Sequence, residues 1–219
     1  MSFPTVVGRT QGEAKAASVD VSVPIGGNGH LLVAVVGVWD RNATVGADSI
    51  FSWTALGGDD YAWVGTRVTD GTEGPEISFT VTGGSPNEGG LSVLLWRITN
   101  WIDVQVGGIR VIYSGFPNSE ELSPAWGSAE TLWLTVAASD QRFWNNSLTP
   151  PANYDHGRMA PIAYREEDGI VVGAERLLEA ASEDPGALEI DDGSQWGCAT
   201  IGIQGKLVLG YSGYGAINI

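Results

Sequence analysis

Apolar and polar residues alternate strictly over 18–23 and 76–82, where Val19, Val21 and Val23, and Ile77, Phe79 and Val81, are separated by polar side chains. A period of two belongs to a strand with one buried face and one wet face. Two other runs, HLLVAVVGVW (30–39) and LSVLLWRI (91–98), are almost wholly apolar, too short for ordinary helices and bounded by glycine clusters. They predict central strands covered on both faces. Turn chemistry recurs at GGNG (26–29), LGGDD (56–60), DGTEGP (70–75), GGSPNEGG (83–90), EDPG (183–186) and DDGS (191–194), mostly at the spacing of short antiparallel strands. AERLLEAASED (174–184) consists of good helix formers, yet it follows IVVG without an N-cap residue, so a strand is favoured there over one short helix.

The pattern also repeats. HLLVAVVGV (30–38) matches TLWLTVAAS (131–139), SWT (52–54) matches NYD (153–155), and GPEISFTVTGG with LSVLLWRI matches DPGALEIDDGSQWGCATIGI, in the same order and roughly 100 to 110 residues apart. The expected fold is all-β: an antiparallel β-sandwich, a jelly roll, built from two similar halves of about four strands each. Residues 1–204 form the single domain of this reading, and 205–219 remain as a C-terminal tail.

Composition narrows the function classes. Among 219 residues, 43% are hydrophobic and 17% charged, enough apolar material for a packed core, and 31 Gly with 10 Pro agree with frequent turns. The formal charge is −15, and the only lysines are Lys15 and Lys206, among singly scattered arginines. Without a basic patch, nucleic acid and anionic membranes are poor partners. The longest apolar run is far below the ~20 residues that span a bilayer, and MSFPTVVGRT lacks a secretory signal pattern, so synthesis in a cytoplasm without membrane insertion is expected.

Catalytic chemistry finds little support. His30 opens an apolar strand and reads as structural; His156, beside Asp155 and Arg158 in a presumed loop, is the better functional histidine. No G-x-S-x-G elbow occurs, and Cys198 in QWGCATIGI reads as a small buried hydrophobe. Acidic pairs at Asp59-Asp60, Glu120-Glu121, Glu166-Glu167-Asp168, Glu183-Asp184 and Asp191-Asp192 fall in turns, where solvation is their ordinary state. A glycosidase needs two converging carboxylates, and calcium needs several acidic ligands; no D-x-[DN]-x-[DN]-G loop is present, so Ca²⁺ is a weak candidate and no other cofactor is expected. No catalytic or metal-ligating residue is assigned.

Two contact regions stand out. Trp96 and Trp133 sit in strand patterns and belong to the core, whereas Phe143, Trp144, Asn145 and Asn146 form an aromatic plate beside amides, suited to a sugar face or a protein partner. The tail carries Leu207, Val208, Leu209, Tyr211, Tyr214 and Ile217, an apolar strip expected to dock on another subunit or surface.

The succession GHLLVAVV, SWTALG, GPEISFTVTGG, LSVLLWRI, TLWLTVAAS, PPANY, AERLLEAASEDPGALEI and WGCATIGI, spanning about residues 14 to 204, resembles jelly-roll structural proteins of tailed bacteriophages. The resemblance rests on a hydrophobic pattern and carries over no catalytic residue. It implies a virion component: a capsid decoration or cement protein acting through contacts with other virion proteins, as a homo-oligomer, a trimer by analogy. Alternatives are a glycan-binding host-attachment module of a spike, fibre or tail tip, and a carbohydrate-active enzyme using loop carboxylates.

Overall fold

The computed structural model describes residues 2–14, 16–38, 44–56, 62–83, 90–139, 147–161, 170–190 and 195–206. The first half contributes β1 (Thr5–Ala14), β2 (Ser18–Ser22), β3 (Leu31–Val38), β4 (Thr44–Ala47), β5 (Ser52–Ala55), β6 (Ala62–Val68), β7 (Glu76–Thr82) and β8 (Leu91–Thr99). The second contributes β9 (Trp101–Ile112), β10 (Ala129–Ser139), β11 (Leu148–Thr149), β12 (Asp155–Pro161), β13 (Ile170–Ala180), β14 (Glu189–Ile190) and β15 (Trp196–Gly205). No helix occurs among the described residues, and 174–180 is strand, as the missing N-cap implied.

Two five-stranded antiparallel sheets carry the fold, ordered β1-β8-β3-β6-β5 and β12-β13-β10-β15-β9. Reversing the second gives β9-β15-β10-β13-β12, so each strand of one five-stranded sheet has a counterpart at the same place in the other. The register agrees as well. Val33 stands opposite Trp96 in the first sheet, and at the matching positions Leu134 stands opposite Ile201 in the second. The smaller sheets follow suit, with β7 beside β4 in the first half and β14 beside β11 in the second. The protein is thus an all-β antiparallel sandwich of two similar halves, with β3 and β10 central in their sheets. The halves do not merge about four strands each into shared sheets. Each half builds a whole sheet of its own, and the largely apolar runs in β3, β8 and β10 are buried on both faces.

That cover comes from two sides. The inner faces pack on one another, β3 against β10, with β6 reaching β10 and β13 reaching β3 in reciprocal fashion, as across an approximate two-fold axis. A Cβ built on Gly37 of β3 would lie 2.8 Å from Val171 Cγ2 and 3.2 Å from the Ala138 Cβ of β10, so the sheets pack here too closely for a larger side chain. On the far side of the first sheet, Val19, Val21, Ile77 and Phe79 of the small sheet join the same core. Beyond the second sheet, Trp133, Trp196 and Cys198 pack with Tyr154, Leu188 and Ile190 in a separate cluster. Trp96 and Trp133 are both fully buried, as their strand positions implied.

Candidate functional site

Where two open sheets face each other, their edge strands leave a cleft on each side. β1 and β12 border one, and β5 and β9 border the other. The β1–β12 cleft has a volume of about 620 Å³, within the range of small-ligand sites. Its floor is an ion pair: Arg9 of β1 donates from Nε and Nη2 to both carboxylate oxygens of Glu175 on β13. Trp96 Nε1 of β8 adds a third donor, 2.6 Å from Glu175 Oε1. Glu175 is only 4% exposed, and its hydrogen bond to Arg9 outweighs desolvation in holding that guanidinium charged. The group thereby ties the first sheet to the second with every charge answered.

At the rim, Arg176 donates to Glu183 Oε1 at 2.7 Å, and the buried Tyr154 hydroxyl donates to the same oxygen at 3.2 Å. Burial, then the Glu183 charge, pushes the Tyr154 phenol above its ordinary value. Asp155 and His156 line the same cleft from β12, together with Asn153 just before it. The β12–β13 ladder is broken between Asp155 and Arg158, and His156 lies there at a φ of 52°. Such an irregularity turns a side chain out of the regular alternation. Phe3, Pro4 and Val6 form the apolar wall opposite.

The second cleft, about 370 Å³, is the counterpart of the first residue by residue. Leu31 opposite Val68 answers Leu132 opposite Leu177, and Ser52 opposite Thr66 answers Asp155 opposite Glu175, so strand pairing aligns Ser52 with Asp155 and corrects by two residues the match of SWT to NYD expected from the sequence. Val68 and Leu177 are the matching exposed apolar side chains, at 51% and 54%. Even the rim ion pair is duplicated: Arg67 binds Glu73 at 2.9 Å as Arg176 binds Glu183. The floor differs. Thr66 stands in the place of Glu175, and Val106 opposite Ile201 stands in the place of Arg9 opposite Trp96, so among the described residues only the first cleft has a charged pair at those two positions.

The sequence-derived candidates are placed unevenly. Phe143, Trp144, Asn145 and Asn146 lie outside the described residues, as do Leu207, Val208, Leu209, Tyr211, Tyr214 and Ile217 of the tail. The acidic pairs at 59–60, 166–168 and 191–192 lie outside them too. Glu120 and Glu121 are exposed, but Glu183, read as a solvated turn residue, is buried at 6% in its pair with Arg176. His156 stands in β12 rather than in a loop. His30 is structural: its Nδ1 accepts from Arg97 Nε at 3.2 Å, while burial and then the Arg97 charge lower its pKa. No group of three metal-ligating side chains comes together among the described residues. The alternation in AERLLEA was the available sign that Glu175 and Arg176 face opposite ways, but it could not reveal which was buried.

Cys198 is 1% exposed on β15, and burial pushes its thiol up to about 12. A thiol reagent at pH 8 should leave the native protein unlabelled and modify one thiol after denaturation, measured by absorbance or intact mass. Rapid native labelling would show an accessible thiolate. Comparisons of the chain with protein-family models, with curated proteins and with solved structures give no match.

Proposed function

We propose that this chain is a non-enzymatic structural protein of a tailed-bacteriophage particle, a capsid decoration or cement protein that acts through protein contacts. The observation that carries the non-enzymatic part is the state of Glu175. Asp155 and Glu175 are cross-strand partners on one cleft, the arrangement a two-carboxylate glycosidase would use, yet both Glu175 oxygens are held by Arg9 and one also by Trp96. A carboxylate consumed in this way is neither a free acid nor a free nucleophile.

The structural part rests on the resemblance and on the strand order. In the first half, β1-β8-β3-β6-β5 accompanies β2-β7-β4, an order that shares most of its strand neighbours with a jelly roll apart from β5, and the second half repeats most of it; this partial likeness supports the jelly-roll reading. The assembly role proposed for the tail rests on its apolar side chains, Leu207, Val208, Leu209, Tyr211, Tyr214 and Ile217. Lys206, the last described residue before it, donates its amide to Asn100 O at 2.9 Å and accepts from the Ser2 amide at 3.1 Å.

Removing residues 207–219 should leave a folded protein that loses its oligomeric mass, read by light scattering. A truncated protein that retains the mass of the full chain and still joins its particle would refute the assembly role.

A further inference from the structure

The duplication makes the second cleft a reference for the first, and what the first has gained indicates a ligand. We propose that the β1–β12 cleft binds a neutral oligosaccharide. Among the described residues both arginines of the cleft are answered within the protein, Arg9 by Glu175 and Arg176 by Glu183, so neither guanidinium is left to attract a phosphate, sulfate or uronate. Asp155 is exposed, and its side chain makes no hydrogen bond or ion pair among the described residues. A carboxylate only accepts, so its partner must bring donors, as the adjacent hydroxyls of a sugar do.

Asn153 and His156 supply further polar groups on that wall, the latter placed by the break in the ladder. Across from them, Phe3, Pro4 and Val6 offer an apolar surface to the C–H face of a pyranose ring. The volume, about 620 Å³, suits a short oligosaccharide, whereas the counterpart cleft is smaller and has Ser52 in place of Asp155. The inference stands apart from the virion reading, since its test reads sugar binding and the truncation test reads assembly.

The full-length protein, fluorescently labelled, should be applied to a printed array of neutral, amino and acidic oligosaccharides. The strongest neutral one should then be titrated calorimetrically against the wild type, Asp155→Ala, His156→Ala and Ser52→Ala. Neutral sugars should dominate the array. Asp155→Ala should weaken binding about 10- to 100-fold, the loss of hydrogen bonds to a charged acceptor, and His156→Ala to a smaller extent. Ser52→Ala, in the other cleft, should bind as the wild type does. The proposal is overturned by a protein that binds no neutral sugar, by a preference for acidic or amino sugars, or by binding indifferent to Asp155→Ala.

Discussion

Glu175→Ala should lower the unfolding free energy by about 3 kcal/mol, among the largest losses expected of any single substitution in this protein. The change strips Arg9 of its counter-charge and Trp96 Nε1 of its acceptor while opening a void between the sheets. Breaking one side of a buried pair costs about 3–5 kcal/mol, and the lower end applies because the Arg9 side chain, 20% exposed, can turn towards water. The double variant Arg9→Met/Glu175→Leu should recover at least half of the loss, since two apolar side chains leave no orphaned charge. Urea unfolding of the three proteins checks both statements. A single variant within about 0.5 kcal/mol of the wild type would mean that the pair is solvated.

Gly37→Leu should cost about 3 kcal/mol or more for the opposite reason, too much volume. A Cβ alone would meet Val171 Cγ2 at 2.8 Å, with Ala138 Cβ and Ser92 Oγ each at 3.2 Å, and these atoms sit on central strands that cannot step aside separately. Gly27→Ala is the matched control. The nearest atom to its added Cβ is His30 Nε2 at 3.7 Å, and the residue is exposed, so its change should stay within about 0.5 kcal/mol. Thermal or urea unfolding distinguishes them, and equal stability of both variants would mean that the sheets do not meet at Gly37.

The central strands were legible because continuous apolar runs such as LLVAVVGV leave no face for water. The ordered recurrence of segments was legible for the same reason, since matching strands meet matching burial demands. The sequence did not disclose that each half would close its own sheet: apolar runs require cover without stating which chain segment provides it. Small residues were the neglected sign. Gly37 in β3 interrupts a run of larger side chains, and Ala138 lies in a run of small ones in β10; the two face each other where the sheets pack closely.

The cleft was harder to read. Glu175 sits 166 residues from Arg9 and 79 from Trp96, so no local spacing signals the group they form. Its own neighbourhood, AERLLEA, has the composition of a helix, and tertiary pairing with β10 and β12 overrides that propensity. Asp155 and His156 were visible as chemistry-bearing residues, but their wall of Phe3, Pro4 and Val6 comes from the far end of the chain.

The face-to-face duplication underlies both clefts, and a nuclear Overhauser spectrum of the methyl-labelled protein tests it directly. Cross-peaks should connect the Gly37 α-protons to the Val171 γ-methyl and the Ala138 methyl, and the Trp96 ring to the Gly173 α-protons, all joining one half to the other. If the inner-face methyl groups of each half show contacts only within that half, the sheets are not packed together and the account of both clefts fails.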